Sequence, residues 1–582
     1  MPLTRRRFIA RCAVGTAASQ LPAGLASAAG ANDSLPTPAP MPSPPEGITA
    51  DTLAAGEKLA GIQFTPAQRQ PLIKNVAERA KSYAELRTPV LPNQVFPALT
   101  FDLRMSGVQV PAGAVERFGP AWSPGKVERT AGPDELAFMP VAHLAALLRS
   151  RAITSRQLTE LSLARLKKFD PVLAAVVTLT EERALRQADA ADAELKAGRW
   201  RGPLHGVPWG AKDLLAVRGY PTTWGAATHK EQRFDEDAEV VRRLDAAGAV
   251  LVAKLTLGAL ANNDGWFGGQ TKCPWNLALG SSGSSAGPCA AVAAGLVPFA
   301  IGSETLGSIV SPCTRNGVTG LRPTYGRVSR AGAMTLAWSM DKLGPIARTV
   351  EDCALIFDAI HGADPADPTA VDAPFVWRPP AKLGGQRIGY LASSFEQAGE
   401  WLATNQAALA TVKQLGAELV PIELPSAPTQ TMRLILNVEA AAAFDDLILT
   451  GGIDDLLAPR KSNWADRMRE ARYITAVEYI QANRIRTLMV RDLEKVMADA
   501  RVDVLVTPPG GAQLVMTNLT GHPTACVPSG FIPVKDQPAD SPRRNAGSLS
   551  FIARLYRDDH ALAAAQAFQQ ATDFHTRRPP IA

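Results

Sequence analysis

Histidine is scarce: the chain has seven in 582 residues, none of them in an H-E-x-x-H pattern, and no Cys-x-x-Cys pair is present. No recognisable metal site follows from that set. No phosphate-binding glycine loop is visible either, so no cofactor is implied. Long apolar runs are also missing. Past the N-terminus the longest uncharged apolar stretch, 290–302, falls short of the roughly 20 residues a bilayer span needs, which excludes stable membrane insertion. Basic blocks are absent apart from the first residues, which excludes a nucleic-acid partner. Composition is that of a globular protein, 46% hydrophobic and 20% charged.

The N-terminus carries the positive charge. Thr4-Arg5-Arg6-Arg7-Phe8-Ile9, a moderately apolar stretch and Ala26-Ser27-Ala28 read as a twin-arginine signal peptide over 1–28. Its removal takes Arg5, Arg6, Arg7 and Arg11 and no acid, so the formal charge falls from +6 to +2. The expected route is export of the folded chain by the twin-arginine machinery to the periplasm or beyond. Cys12 would leave with the signal. Cys273, Cys289, Cys313, Cys353 and Cys526 remain, an odd set in which at least one thiol must be free.

Residues 29–47 form a Pro-rich linker, PTPAPMPSPPEG at its end. Residues 48–133 read as a helical and irregular extension, with two helices expected over 48–87. Within it Thr65-Pro66-Ala67-Gln68 combines an N-cap, a helix-starting proline and a capping-box glutamine. The main domain is expected over 134–582. Val141, Leu144, Leu147 and Leu148 recur at helical spacing, as do Leu158, Leu161 and Leu166 after the N-cap Thr154. AVLVAKL and VDVLVTP read as strands buried on both faces.

What the chain does contain is a lysine in PLHGVPWGAKDLL and, downstream, two serine-bearing glycine loops separated by one apolar run, GSSAGPCAAVAAGLVPFAIGSETLGSIVSP. A serine hydroxyl needs a base and backbone N–H donors for the charge that forms on the attacked oxygen. Lys212, Ser284 and Ser308 are the candidates. Gly302 and Gly307 let the backbone turn and approach. Taken alone, GSSGSSAG is a flexible surface loop and Lys212-Asp213 a solvated ion pair. Their order, each at the end of an apolar segment, points to a site instead.

Together these segments, with VTGLRPTYGRVSRAGAM and a late NLTGHP, resemble the amidase signature family of serine hydrolases from about Phe138 to the end of the chain. The resemblance implies an α/β fold, a mixed twisted central sheet flanked by helices on both faces. It also implies a triad of Lys212, bridging Ser284 and nucleophilic Ser308, with backbone N–H groups of Thr305, Leu306, Gly307 and Ser308 as oxyanion hole. Ser281, Ser282 and Ser285 compete with Ser284 for the bridge. Alignment back from Ser308 favours Ser284, with Ala286 for a glycine and Pro288 for a serine. Leu306 stands where glycine or aspartate is frequent, which narrows the neighbourhood of the oxyanion hole. Val310 stands where arginine is frequent, which takes an ion-pair partner from Glu304.

The implied reaction is hydrolysis of a carboxylic amide through an acyl-enzyme, with a small-molecule amide, ester or carbamate as substrate. Asn262, Asn263, Asp264, Trp266, Phe267, Trp338 and Met340 are expected to line its pocket. Other readings stand beside it. The amidotransferase branch passes ammonia to a charged tRNA with partner subunits, and a noncatalytic scaffold is known among relatives that have lost triad residues. Gly283-Ser284-Ser285-Ala286-Gly287 also fits the G-x-S-x-G elbow, with Ser285 as nucleophile and His361, His522, His560 or His575 as base. That elbow needs a strand directly before its serine, and WNLALGSS reads as loop. Ser123-Pro-Gly-Lys126 satisfies S-x-x-K, but Pro-Gly makes it a turn.

Overall fold

Short β-branched and aliphatic runs collect into one eleven-stranded sheet. In chain order its strands are β1 (Val176–Leu179), β2 (Pro208–Lys212), β3 (Val250–Leu255), β4 (Phe299–Glu304), β5 (Thr319–Arg322), β6 (Lys342–Ala347), β7 (Arg387–Tyr390), β8 (Glu418–Pro421), β9 (Val504–Thr507), β10 (Thr524–Pro533) and β11 (Arg544–Ala553). Across the sheet they run β1-β3-β2-β4-β6-β5-β10-β11-β9-β7-β8. Pairing is parallel at β2–β3, β2–β4, β7–β8 and β7–β9 and antiparallel elsewhere, so the sheet is mixed. Helices cover it, as the α/β reading requires.

This computed structural model describes residues 47–581 except 79–92, 114–116, 120–121, 123–131, 398, 458–463, 536 and 539. The signal peptide 1–28, nearly all of the linker 29–47 and Ser123 to Lys126 lie outside the described residues. Ser43–Ala582 make one compact unit. The extension is tied into it: Asn93 Nδ2 donates to the Thr335 carbonyl at 2.9 Å, and Phe118 N donates to Asp358 Oδ2 at 2.9 Å.

Local signals hold where side chains cap helices. Thr65 and Gln68 close a capping box at the start of Pro66–Arg69, and Thr154 and Gln157 do the same for Ser155–Leu173. AVLVAKL becomes β3 and VDVLVTP becomes β9, both wholly buried. One expectation is corrected. WNLALGSS contains a strand, Asn276–Gly280, which pairs with Lys272–Cys273 in a separate two-stranded ribbon. The ribbon ends at Gly280, short of Ser285.

The centre of the sheet positions the site. β2 and β4 run parallel with Ala211 opposite Ile301, so Lys212, the last residue of β2, arrives beside the end of β4. Helix Ala286–Ala293 follows the Gly/Ser loop and is buried along its whole length. It has no polar face because it packs under the sheet rather than beside water.

Candidate active site

Three loops meet at this end of the central strands. Lys212 Nζ lies 2.8 Å from Ser284 Oγ, 3.1 Å from Ser285 Oγ and 2.8 Å from Ser303 Oγ. The lysine is completely buried. Burial lowers its ammonium from 10.5 to about 7, against the pull of Cys289, Asp341 and Glu304. That displacement is a penalty on the charged form on the order of 5 kcal/mol.

The Gly283–Ser284 peptide is cis. Ser285 N donates to the Ser308 carbonyl at 3.1 Å, which ties the Gly/Ser loop to the loop after β4. Ser308 is part-exposed in the turn between β4 and helix Val310–Asn316. The turn needs Gly307, whose φ of +96° lies in the region that side chains avoid.

Glu304 organises the N–H groups of this turn. Its Oε2 accepts from Ile309 N at 2.8 Å and Val310 N at 2.9 Å. The N–H groups of Thr305, Leu306, Gly307 and Ser308 donate to no other described residue. Four N–H donors with no other described acceptor thus stand beside a part-exposed serine. Thr305 is held from its side chain, with Oγ1 donating to Asp341 Oδ1 at 2.6 Å.

One expectation about this loop needs correcting. Glu304 does not lose its ion-pair partner through Val310: Arg322 of β5 reaches its Oε1 at 2.9 Å, and Asn518 Nδ2 reaches the same oxygen at 2.7 Å. Burial pushes the Glu304 carboxyl up, but Arg322 and the Val310 N–H outweigh it and hold the group below its usual value. Leu306 packs against the main hydrophobic core and does not line the large cleft described below. Arg322→Met would leave the buried carboxylate without its cation, at an expected cost of about 3–5 kcal/mol. The check is the urea unfolding midpoint, and an unchanged midpoint would refute this role.

The elbow reading fails on geometry. Ser285 Oγ is buried, donates to the Ser303 carbonyl at 3.1 Å and accepts from Ser303 N at 3.2 Å. Of the histidines proposed as its base, His522 meets Thr520 and Glu494, His361 meets Arg327 and His560 meets Arg557. Asp213 is no solvated pair with its neighbour; it pairs with Lys254 at 2.7 Å, both completely buried.

A cleft of about 1410 Å³ adjoins these loops. Ser282 and Ser311 belong to its wall, with Trp401, Asn405, Gln513 and Leu424 facing them. None of the seven expected pocket residues lines it. Asn262 and Asn263 lie in the turn before the ribbon, and the Asn263 carbonyl abuts Gly283. Asp264 Oδ2 accepts from Ser282 N at 3.0 Å, bracing the Gly/Ser loop. Trp266 and Phe267 pack edge to face at 4.8 Å. Trp338 borders a separate small cavity with Phe101 and Tyr479, and Met340 is completely buried. Ser303, Arg322 and Asp341 were missed in the sequence. The signal for Ser303 was its place at the end of the same strand-like run that precedes Ser308.

The amidase family profile matches residues 157–538. The chain belongs to this family. Similar relatives include the A subunit of glutamyl-tRNA(Gln) amidotransferase from Roseiflexus sp. (strain RS-1), 36% identical over 492 residues, covering 75% of this chain and 96% of the relative. Among solved structures, the native peptide amidase of Stenotrophomonas maltophilia superposes with a TM-score of 0.68 at 31% identity, covering 76% of this chain and 98% of its own. A 6-aminohexanoate cyclic dimer hydrolase in complex with substrate gives 0.65 at 25% identity, covering 76% and 99%. Membership in this family makes the protein an enzyme of amide C–N bonds, on the mixed α/β fold described above. Among the described residues no cluster of metal-binding side chains occurs, and no helix is long and apolar enough to cross a membrane.

Proposed function

We propose that the protein hydrolyses a carboxylic amide through an acyl-enzyme on Ser308, with Ser284 as proton bridge and Lys212 as base. The observation that carries this reading is the completely buried Lys212, 2.8 Å from Ser284 Oγ and with its ammonium lowered to about 7. Ser308 Oγ attacks the carbonyl carbon and passes its proton to Ser284, whose own proton goes to Lys212. The N–H groups of Thr305 to Ser308 receive the oxyanion. Collapse expels the amine, which takes the proton back along the same path. Water then repeats the sequence on the acyl-enzyme and releases the acid.

The large cleft, walled by Ser282 and Ser311 beside the proposed nucleophile but by none of Lys212, Ser284 and Ser308 themselves, leaves room nearby for substrates bigger than a primary acetamide, since drug-sized ligands occupy about 300–1,000 Å³. Its wall mixes Trp401 and Leu424 with Asn405 and Gln513, which suits an amide with both apolar and hydrogen-bonding parts. A panel of anilides, peptide amides, free glutamine, esters and carbamates on protein lacking residues 1–28 tests the reading. Turnover of amides larger than glutamine is expected. The relatives named as amidotransferase subunits favour a second reading, ammonia release to a charged tRNA with partner subunits. Glutamine as the sole substrate, cleaved only with partner subunits, would establish that reading instead.

Export completes the proposal. Arg5 and Arg6 assign the precursor to the twin-arginine route, and the mature enzyme to the periplasm or the medium. Arg5→Lys with Arg6→Lys is expected to trap the precursor in the cytoplasm, read by fractionation. Uncleaved native protein in the cytoplasm would overturn the assignment.

A further inference from the structure

Three hydroxyls surround Lys212 Nζ, those of Ser284, Ser285 and Ser303, and the relay uses only the first. A neutral amine has two N–H bonds and one lone pair to distribute among them. Ser285 decides one of these. Its own proton goes to the Ser303 carbonyl and it accepts the Ser303 N–H, so toward the lysine it acts only as acceptor. Glycine at 302 permits this approach: a Cβ there would stand 2.8 Å from Ser285 Oγ. One N–H and the lone pair remain for Ser303 and Ser284. If Ser303 donated, it would occupy the lone pair and block the base. If it accepts, the lone pair faces Ser284.

We propose that Ser285 and Ser303 are positioning residues that take the two N–H bonds of neutral Lys212 and so aim its lone pair at Ser284. The proposal rests on the relay reading above and gives Ser285 a part other than nucleophile. The remaining groups that face the lysine are the Ser303 carbonyl, a longer contact at 3.4 Å on the residue whose hydroxyl already lies at 2.8 Å, and Cys289 from helix Ala286–Ala293, Glu304 from the end of β4 and Asp341 from the turn before β6. Neither Cys289 nor the two acids hydrogen-bonds the amine; the acids are engaged with Arg322 and Thr305. The two hydroxyls therefore control both the direction of the lone pair and part of the support for the ammonium. Bonds to the charged form are the stronger ones, so losing an acceptor favours the neutral amine.

The test is the pH dependence of fluorophosphonate labelling of Ser308 in Ser285→Cys, a near-isosteric weak acceptor, and in Ser303→Ala. Each is expected to move the acid limb about one unit lower and to cut the plateau rate about 10-fold. Ser303→Thr, which keeps the hydroxyl, is expected to restore both. A lowered plateau with the acid limb unmoved would overturn the proposal, since it means structural support only. Should Ser285→Cys fail to fold, the Ser303 pair decides alone. Failure of the underlying relay looks different: labelling that persists in Ser308→Ala but disappears in Ser285→Cys.

Discussion

Ser308→Ala is expected to lower kcat by at least about 10⁴-fold and to abolish covalent labelling by a fluorophosphonate. No neighbour can take over. The Ser285 proton is committed to the Ser303 carbonyl. Ser281 is buried, donates to the Ala286 carbonyl at 2.9 Å and accepts from Asn316 Nδ2 at 2.9 Å. Ser281→Ala should therefore cost about 1 kcal/mol of stability and leave most activity, while Ser284→Ala removes the bridge. Equal damage from the two would move the bridge to Ser281. Intact labelling of Ser308→Ala would eliminate the mechanism.

Lys212→Met is expected to lower kcat at least about 100-fold without unfolding the enzyme. Because burial lowers the ammonium to about 7, kcat/KM of the wild type should rise with pH through about 7 and then level off. The same displacement acts on stability. Between about 7 and 10.5 the unfolded lysine holds a proton that the folded one has lost, so this group makes stability increase with pH across that window. Lys212→Met removes the effect: at neutral pH its melting temperature should exceed that of wild type, with a flatter dependence toward pH 10. A melting temperature below wild type at pH 7, with the same slope, would show that the lysine is not held neutral by burial. Substitutions at His361, His522, His560 and His575 should be mild by comparison.

Sequence order was enough to nominate Lys212, Ser284 and Ser308, because each closes an apolar segment that becomes a central strand or a buried turn. It was equally good for Thr65 and Thr154, whose partners lie three residues away. What the sequence hid depends on strands that meet only in the fold. Arg322 supports Glu304 from a neighbouring part of the sheet, so reading Val310 as the loss of a partner looked for charge locally and missed the residue that supplies it. Ser303 looked like one more small residue of a loop, yet its hydroxyl faces a lysine 91 positions away. The cleft was beyond reach for the same reason: its wall draws on residues from Leu279 to Ser548.

All five cysteines of the unit Ser43–Ala582 are reduced and buried, including Cys289 and Cys313, whose sulfurs lie 3.7 Å apart. A maleimide therefore has nothing to modify in the intact protein lacking residues 1–28, and every alkylated thiol records an opening event. Mass spectrometry of such adducts, sorted by peptide, would time the exposure of helix Ala286–Ala293, helix Val310–Asn316 and β10 separately. The chain thus carries an internal clock for the order in which its core comes apart, with no engineered probe.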